Sequence, residues 1–380
     1  MRITRVETFV LSNRRALVKI ETDAGISGWG EPVLENWART TVAAVERMSE
    51  YLVGQDPRQI TRHWQVLTRG GFYRGGPILA SAVAGLDQAL WDITARAMGA
   101  PVHELLGGAV RDRVRVYAHA NVAGRTGDPV AAKRLVGEGY TMLKVAPDAP
   151  HDFLGSAASI ERLVSDLTEF RDAIGPDVDF AIDLHGRFSV PESIRVISML
   201  EPLLPAFVEE PMRPEHSQRI GDVVRSTRVP IATGERLYSR AEYRAVLEAG
   251  IAIAQPDLSH AGGITECFRI ATGAEVYDVQ VAPHCPLGPV ALAACIQLDL
   301  AVPNFYAQEH TADLRPGSRD LALISNPEVL AVVDGHIARL TGPGLGVEVD
   351  EDAVRAAVVT GPLEPGSPLW VDSDGGFAEW

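Results

Sequence analysis

The stretch FAIDLHGRF, residues 180–188, sets the pattern from which the fold of this chain can be predicted. Its apolar run ends abruptly in Asp183, and His185 follows just before Gly186. A short apolar run is typical of a buried strand, and residues two apart in a strand project to the same side. We therefore expect Asp183 and His185 to project together from the end of a buried strand.

Similar runs recur along the chain, and a helical pattern follows each of them. The eight β-type runs are VRVYAHA near 114, TMLKVA near 141, FAIDLH near 180, AFVEE near 206, IATGE near 231, IAIAQPD near 251, VQVAPH near 279 and NFYAQE near 304. Strands that alternate with helices pair in parallel through crossover connections. Eight such units predict an α/β fold, a (β/α)8-type (TIM-like) barrel.

The part of the chain before these repeats has a different pattern. TRVETFVL and ALVKIETDAGISGWGEP predict a hairpin, and ILASAVAGLDQALWDITARAMG at 78–99 predicts a helix that ends at Gly99. We expect an α+β capping domain over residues 1–112 and the barrel over 113–330. The tail, 331–380, is expected to pack back on the capping domain and complete it.

Composition and charge argue against several classes of function. A net charge of -15 without a basic patch disfavours nucleic acid or an anionic membrane surface as a partner. The 3 cysteines lack C-x-x-C spacing, which indicates neither a disulfide framework nor a zinc site. No apolar run approaches the ~18 residues of a membrane span, and the first residues lack a signal-peptide pattern. We expect a soluble cytoplasmic protein.

Ionisable residues end the last six of the eight runs, 22 to 27 residues apart. They are Asp183, Glu209, Glu235, Asp257, His284 and Glu309. In barrels of this type the active site lies at the C-terminal ends of the strands. Helix capping could explain one or two acidic residues after a strand, but not a regular row that includes a histidine. We interpret the row as an active site.

Asp183, Glu209 and Glu235 follow neighbouring strands, which lie about 4.8 Å apart, so their carboxylates can converge on one ion. Oxygen ligands without Cys or His favour a hard cation, and Mg²⁺ with retained waters fits best. Three carboxylates this close without a cation would repel one another. Glu210 is an alternative to Glu209, since adjacent strand residues face opposite ways.

Asp257 and His284 also follow neighbouring strands. A carboxylate that binds one ring nitrogen orients an imidazole and raises its basicity, so the pair is interpreted as a general base. His185 should face the ligand from the opposite side, with a structural role at a loop start as the alternative. Glu309 could share a proton with a developing oxyanion if its pKa is raised, and a helix cap is its alternative.

Several motifs resemble those of one known family. AIDLHGR, FVEEP, ATGERLYSR, QPDLSHAGGITEC and APHCPLGP resemble barrel motifs of the enolase superfamily, mandelate racemase-like branch. The resemblance extends from LVKIETDAGISGWGEPV through GFYRGGPILASAVAGLDQALWDI to the terminal FAEW. Sites of that superfamily combine a Lys or His base with Mg²⁺, which stabilises an ene-diolate.

The resemblance implies a hydro-lyase of carbohydrate metabolism. Its Mg²⁺ would be held by Asp183, Glu209 and Glu235. The implied reaction is dehydration of a sugar acid, D-galactonate first among the substrates, to a 2-keto-3-deoxy acid. The enzyme is expected to be a homo-oligomer with a small anionic substrate.

The resemblance also implies the catalytic roles. His284, made more basic by Asp257, would remove the proton next to the substrate carboxylate. His185 would protonate the departing C3 hydroxyl, and Glu309 would support the enediolate.

One departure from the family affects the substrate. Racemases of this branch often carry Lys-x-Lys at the end of strand 2, whereas Lys144 is followed here by Val145 and Ala146. A racemase needs a base on each face of the reacting carbon, so elimination is favoured over epimerisation or racemisation of a 2-hydroxy acid. A polar residue is expected where Ala146 stands, so a dehydratase of another C5 or C6 aldonate or aldarate is the main alternative.

A Gly-rich loop, RGGFYRGGP at 69–77, is the last candidate feature. Tyr73 or Arg74 could close over a sugar acid, and with Lys144 they are the candidate substrate contacts. Turn chemistry explains the glycines equally well. A metal-dependent hydrolase and a non-catalytic binding protein remain further alternatives. The carboxylate ligand row disfavours the first, and the complete set of candidate catalytic residues disfavours the second.

Overall fold

The computed structural model describes residues 1–121, 125–147, 154–311, 314, 317–363, 369–371 and 374–378. Parts of the predicted tail, 364–368, 372–373 and 379–380, therefore lie outside the described residues. None of the described helices is both long and apolar enough to cross a membrane.

The chain begins with a small α+β module, which we call the cap. Its elements are β1 (Ile3–Ser12), β2 (Arg15–Thr22), β3 (Ser27–Gly30), α1 (Ala38–Leu52), α2 (Ile60–Arg69), α3 (Pro77–Met98) and α4 (Val102–Leu105). The three strands form one antiparallel sheet in the order β1-β2-β3. Gly25 turns the chain between β2 and β3 with a φ of 72°, and Gly99 ends α3 with a φ of 67°. Both are left-handed conformations that favour glycine, and the predicted hairpin and helix are confirmed.

Strands and helices then alternate. The elements are β4 (Arg113–His119), α5 (Pro129–Gly137), β5 (Met142–Val145), α6 (Ala157–Ile174), β6 (Asp179–Asp183), α7 (Val190–Leu200), β7 (Phe207–Glu209), α8 (Ile220–Val224), β8 (Ile231–Thr233), α9 (Arg240–Glu248), β9 (Ile253–Ala254), α10 (Gly263–Glu275), β10 (Gln280–Val281), α11 (Pro289–Ala301) and β11 (Gln308–His310). Short 3₁₀ helices occupy Glu201–Leu203 and Pro214–Arg219.

These strands form a parallel sheet. Its order is β10-β9-β8-β7-β6-β5-β4, and β11 pairs in parallel with the free side of β4. The register of β6 and β7 places Asp183 opposite Glu209. Parallel strands joined by helices, with the cap in front of them, fit an α/β barrel with an N-terminal capping domain.

One face of the parallel sheet is packed by a cluster that takes one residue from, or next to, each of the eight strands. These buried residues are Tyr117, Met142, Ala181, Phe207, Ala232, Ile253, Ala282 and Ala307. Small alanines lie among larger side chains, so the interior is filled. A larger buried cluster packs the outer faces of the strands against the helices. Interior filling of this kind is expected of a barrel core.

The strands are shorter than the runs that predict them. β8 ends at Thr233, β9 at Ala254 and β10 at Val281. Gly234 follows β8 with a φ of 144°, and prolines 256 and 283 follow β9 and β10. Proline has no N–H for a sheet hydrogen bond, so it ends the pairing. Three residues of the predicted row, at 235, 257 and 284, consequently lie in the loops just beyond the strands.

The described part of the tail contacts both the parallel sheet and the cap. It contains β12 (Val332–Val333), β13 (His336–Ala338) and α12 (Glu351–Ala356), and 3₁₀ helices at Leu321–Leu323 and Pro327–Leu330 precede it. β13 pairs antiparallel with β4. Glu351 lies 2.8 Å from Lys19 Nζ, and Arg355 lies 2.8 Å from Glu7.

Candidate active site

Three carboxylates meet at the C-terminal ends of β6, β7 and β8. One oxygen each from Asp183, Glu209 and Glu235 lies within 4.8 Å of the other two. Asp183 and Glu209 are fully buried, and Glu235 is half-buried in the following loop. The structure therefore brings together the three residues that the sequence suggests as metal ligands.

Lys144 joins this group from β5. Its Nζ lies 2.5 Å from Glu209 Oε1, 3.0 Å from Asp183 Oδ2 and 2.9 Å from Glu309 Oε1. Burial lowers the pKa of Lys144, but these carboxylates outweigh burial and raise it well above its usual value. The lysine is thus a buried cation, and one positive charge faces several carboxylates.

The trio fits a divalent cation. Burial, together with the charge of Asp183, raises the pKa of Glu209 well above its usual value. Burial would also raise the pKa of Asp183, but His185 and Lys144 hold it below its usual range. Glu209 Oε2 and Asp183 Oδ2 are buried, yet neither accepts a well-directed hydrogen bond from any described residue. Buried carboxylate oxygens that lie this close together, of which Glu209 Oε2 lacks a donor among the described residues, are suitable ligands for a hard cation.

The choice between Glu209 and Glu210 follows from the backbone. Glu210 has a φ of 41° and turns its side chain away from the trio. Its carboxylate accepts hydrogen bonds from Thr233 Oγ1 at 2.6 Å, Gly234 N at 2.9 Å and Arg236 Nε at 3.1 Å. Glu210 is therefore satisfied by its neighbours. Arg236, which the sequence reading did not single out, fixes it there.

His185 contacts Asp183 from a turn, not from the same strand as expected. β6 ends at Asp183, and His185 adopts a left-handed φ of 52° in the turn that follows, so the expectation of a shared strand face is wrong. The turn forms because Asp183 Oδ1 accepts a hydrogen bond from the His185 N–H at 2.7 Å. It brings His185 Nε2 to 3.0 Å from Asp183 Oδ2. Arg187, which stacks on Trp370 at 4.4 Å, lies 3.4 Å from His185 Nδ1.

Asp257 and His284 form a hydrogen-bonded pair. His284 Nδ1 lies 2.7 Å from Asp257 Oδ2, and Nε2 lies 3.4 Å from Glu235 Oε2 and 3.9 Å from Glu309 Oε2. Burial lowers the pKa of His284, but Glu235, Glu309 and Asp257 together raise it well above its usual value. One ring nitrogen is held by a carboxylate while the other faces the trio. This orientation is that of a general base.

Glu309 lies beside His284, but it lacks the raised pKa on which the predicted proton sharing depends. Oε1 accepts hydrogen bonds from Lys144 and from His119 Nε2 at 2.6 Å, and Oε2 accepts one from Cys285 N at 2.7 Å. Burial would raise the pKa of Glu309, but Lys144, His284 and His119 hold it well below its usual range. The raised pKa required for proton sharing is therefore absent, because three cationic or donor groups surround this carboxylate.

His119 was missed at the sequence level. His119 is the second-last residue of the run VRVYAHA and the last residue of β4, and β4 and β5 align it with Lys144. The pattern of an ionisable residue at a strand end therefore includes β4. The predicted row covers only the last six runs and so omits His119.

Tyr73 and Arg74 lie on the surface of the cap. The Tyr73 side chain is 89% exposed, and its ring meets Phe72 edge-on at 5.2 Å. Among the described residues, no hydrogen bond or ion pair joins this loop to the carboxylate trio. The structure does not bring these two candidate substrate contacts to the site, unlike Lys144.

Comparison with known proteins gives the family. The protein-family model described as "Mandelate racemase / muconate lactonizing enzyme, N-terminal domain" matches residues 4–107. A second family model, "Enolase C-terminal domain-like", matches residues 129–353. Mandelate racemase/muconate lactonizing enzymes from Jannaschia sp. CCS1 and a Sulfitobacter species have similar solved structures, with TM-scores of 0.88 and 0.87 and identities of 29% and 31%. The alignments cover 95% and 97% of this chain and 99% and 100% of those chains.

Relatives with higher identity share one reaction class. D-galactonate dehydratases of Pectobacterium atrosepticum and Ralstonia nicotianae are 46% and 47% identical to this chain, and each alignment covers 100% of both chains. Relatives at this level over the full length make the chain an enzyme of the dehydratase, or hydro-lyase, class. The chain belongs to the enolase superfamily, within its mandelate racemase/muconate lactonizing enzyme branch.

Proposed function

We propose that this enzyme dehydrates a sugar acid, with D-galactonate as the first substrate, to a 2-keto-3-deoxy acid. The full-length relatives named for that reaction support the proposal. The observation that carries it is the placement of two histidines beside one carboxylate trio. His284 Nε2 faces Glu235, and His185 Nε2 contacts Asp183.

Asp183, Glu209 and Glu235 would hold Mg²⁺. When bound, the cation stabilises the negative charge that develops on the substrate carboxylate as the neighbouring C–H bond ionises. The fit rests on the buried oxygens of Asp183 and Glu209 that accept no well-directed donor. Their carboxylates also satisfy the preference of Mg²⁺ for oxygen ligands.

His284 acts as the base in this proposal. Asp257 holds the Nδ1–H, so once Nε2 is deprotonated its lone pair is directed into the site, where it takes the proton from C2 of the acid. Glu235 and Glu309, on the Nε2 side of the ring, stabilise the imidazolium that results.

His185 acts as the acid. Hydroxide is a poor leaving group, so the C3–O bond breaks only as His185 donates a proton to that oxygen. Arg187 contacts Nδ1, which leaves Nε2 as the nitrogen that carries the mobile proton. Water leaves, and the enol product tautomerises to the 2-keto-3-deoxy acid.

Lys144 and Glu309 organise charge around the substrate. The Lys144 ammonium is buried beside the trio and can bind the substrate carboxylate. Glu309 stays ionised and holds Lys144 and His119 at its Oε1. Its proposed role is to support the enediolate through these donors, without giving up a proton of its own.

We infer that the parallel sheet closes into a (β/α)8 ring. Val281 N donates to Asn304 O at 2.7 Å, and Tyr306 N donates to Val281 O at 2.8 Å. These hydrogen bonds support pairing between β10 and the segment that leads into β11. The boundaries at 112 and 330, the homo-oligomeric state and the cytoplasmic location stay predictions.

A dehydratase of another C5 or C6 aldonate or aldarate is the second candidate. Ala146 favours it, since this buried residue gives the end of β5 no polar side chain for a sugar hydroxyl. Racemisation or epimerisation of a 2-hydroxy acid is the less favoured outcome, because it needs a second base where Ala146 stands.

The test is an end-point assay for 2-keto-3-deoxy acids. The purified enzyme with Mg²⁺ is incubated with a panel of epimeric C5 and C6 aldonates and aldarates, and EDTA-treated samples serve as controls. Turnover of D-galactonate that EDTA abolishes is the expected result. Turnover of a different acid would keep the reaction and change the substrate. If no acid in the panel gave product while Mg²⁺ was bound, dehydration of these acids would be contradicted.

A further inference from the structure

A second buried histidine lies beside the Asp257–His284 pair. His260 Nε2 lies 3.5 Å from Asp257 Oδ2 and 3.1 Å from Glu35 Oε2. Its Nδ1 lies 3.2 Å from Ser81 Oγ. Ser81 is on α3 and Glu35 precedes α1, so the cap supplies two of the side chains that contact this ring.

The charge of His260 follows from these neighbours. Burial lowers its pKa, but Asp257 and Glu35 outweigh burial and raise it to about 9, against a smaller opposing effect of His284. Burial would raise the pKa of Glu35, but His260 holds it below its usual range. At neutral pH an imidazolium therefore lies between two carboxylates, one from the cap and one from the parallel sheet.

Asp257 is consequently shared between two rings. Its Oδ1 accepts backbone hydrogen bonds from Ser259 N at 2.6 Å and His260 N at 3.0 Å. Its Oδ2 faces both His284 Nδ1 at 2.7 Å and His260 Nε2 at 3.5 Å. His260 Nε2 lies nearer to Glu35 Oε2, at 3.1 Å, than to Asp257 Oδ2, so its N–H is directed mainly at Glu35.

These contacts also bear on a metal site. Ligand atoms of Asp257, His260 and His284 lie within 4.8 Å of one another. The His260 ring is nevertheless positively charged and engaged with Glu35 and Ser81, and His284 Nδ1 is directed at Asp257. A protonated imidazole is a poor ligand, so this group of residues has a different role from the carboxylate trio.

We propose that His260 is a positioning residue that links Glu35 of the cap to the Asp257–His284 pair. This inference rests on the proposed function, in which His284 is the base. With Glu35 in place, the His260 N–H is directed mainly to the cap, and Asp257 keeps its charge for His284. Without Glu35, the His260 cation turns to Asp257 and competes with His284 for Oδ2. The cap thereby helps to hold the Asp257 carboxylate in position against His284.

The experiment compares Glu35→Gln, His260→Gln and the double variant, all as full-length protein with Mg²⁺. His63→Gln is the matched control. His63 is a buried cap histidine that contacts Tyr51 at 3.0 Å and Asp56 O at 2.8 Å, away from the active site. Steady-state rates are measured with substrate carrying hydrogen or deuterium at C2. Circular dichroism reports the folded fraction of each variant.

For Glu35→Gln we expect kcat to fall about tenfold to a hundredfold, the range for residues that orient a functional group, with a much smaller change in KM. The isotope effect should rise, because proton abstraction becomes more rate-limiting. His260→Gln and the double variant should both be faster than Glu35→Gln, because neither carries the imidazolium that competes with His284 for Asp257 Oδ2. Additive losses, or an isotope effect equal to that of the wild type, would overturn the inference.

A readout without substrate separates this inference from the proposed function. In protein labelled with ¹⁵N-histidine, the downfield Nδ1–H resonance of His284 is assigned by its loss in His284→Asn. It should move in Glu35→Gln and His260→Gln and stay in place in His63→Gln. A shift without any dehydration would contradict the proposed function alone. A resonance that stays in place in both variants would overturn the link.

Discussion

Two groups of buried carboxylates can be compared in this protein, one at the joint between the cap and the rest of the chain and one at the ends of β6, β7 and β8. Asp92 at the joint accepts hydrogen bonds from Trp29 N at 3.0 Å, Leu345 N at 2.9 Å and Arg96 Nε at 2.9 Å. Each of its oxygens therefore has a donor, and the carboxylate ties the cap to the tail.

In Glu31 and Asp87, too, each carboxylate oxygen accepts a hydrogen bond. Glu31 accepts hydrogen bonds from Gly288 N at 2.8 Å and Ala291 N at 3.0 Å. Asp87 accepts them from Thr265 N at 2.9 Å and Thr265 Oγ1 at 2.6 Å. Burial is the largest effect on both, and it raises their pKa to about 7. These three residues, Glu31, Asp87 and Asp92, are the joint carboxylates.

Two members of the trio, Asp183 and Glu209, are as buried as the joint carboxylates, but their oxygens are not all hydrogen-bonded. Glu209 Oε2 and Asp183 Oδ2 accept no well-directed hydrogen bond from the part of the chain that the structure describes. A buried polar atom without a partner costs free energy, so natural proteins keep few of them. Burial alone therefore does not identify a functional carboxylate in this protein. An unsatisfied oxygen does not do so either, because neither oxygen of the buried Asp299 on α11 accepts a hydrogen bond from the described residues. The trio differs in that three carboxylates from neighbouring strand ends converge.

The largest expected effect comes from Glu209→Gln. Turnover should fall by at least about a thousandfold, because a metal contributes several kcal/mol of transition-state stabilisation. The melting temperature without metal should stay the same or rise, since repulsion from Asp183 is removed. The end-point assay and thermal unfolding test both expectations. Activity within tenfold of wild type would remove Glu209 from the site.

His185→Asn tests the acid separately from the base. Elimination should slow by about 10²–10⁴-fold, the usual contribution of a positioned acid. Exchange of the C2 proton in D₂O should continue, because His284 and Asp257 are untouched. NMR of the substrate measures the exchange, and the end-point assay measures elimination. Unchanged turnover in this variant would show that another group protonates the leaving hydroxyl.

Much of the trio could be predicted from sequence, because parallel strands of one sheet bring their C-terminal ends together. The regular spacing of Asp183, Glu209 and Glu235 carries that information. The conformation of His185 could not be read in the same way. Its left-handed φ depends on a hydrogen bond from its own N–H to Asp183, and an alternation pattern does not record such a turn.

Contacts that cross between distant parts of the chain were not readable at all. Glu35 and Ser81 precede His260 by more than 170 residues, and no local pattern relates them. No local pattern relates Lys144 to Glu309 either, although Lys144 Nζ lies 2.9 Å from Glu309 Oε1. The sequence suggested that Glu309 could share a proton, but its ionisation depends on these long-range neighbours.

Metal removal should affect the trio and leave the joint unchanged. A ligand at about 100 times its Kd stabilises the folded state by about 2.7 kcal/mol. Mg²⁺ should therefore raise the melting temperature of the wild type and of Asp92→Asn, but not of Glu209→Gln. Differential scanning fluorimetry over a Mg²⁺ titration measures this. An equal shift in all three proteins would indicate that the cation binds elsewhere.

Asp92→Asn should lower stability and leave activity unchanged, which is the opposite of the result expected for Glu209→Gln. An amide can accept at only one of the two oxygen positions, so at least one of Trp29 N and Leu345 N loses its acceptor. Each buried donor left without a partner costs about 1–3 kcal/mol, and urea unfolding should detect a loss of that size. The rate per folded molecule should stay within about twofold of wild type. A loss of activity without loss of stability would place Asp92 in the catalytic machinery.

The smallest effect expected is a change in the pH dependence of stability in Asp87→Asn. Burial raises the pKa of Asp87 from 3.8 to about 7 in the folded protein, so the folded state holds this proton more tightly than the unfolded state. The stability that it contributes is complete below about pH 4 and is lost as the pH rises towards 7. Asparagine does not titrate. The unfolding free energy of the variant relative to wild type should therefore rise with pH over this window, by up to about 1.4 kcal/mol per pH unit.

Glu31 titrates in the same window, but it is present in both proteins and cancels in the difference. Urea unfolding from pH 4.5 to 8 in matched buffers measures that difference. Parallel curves would mean that Asp87 is ionised throughout, held so by its two hydrogen bonds from Thr265. The joint would then carry a buried charge that needs no metal. In that case saturation by donors, and not neutralisation by a proton, would distinguish Asp87 from Glu209.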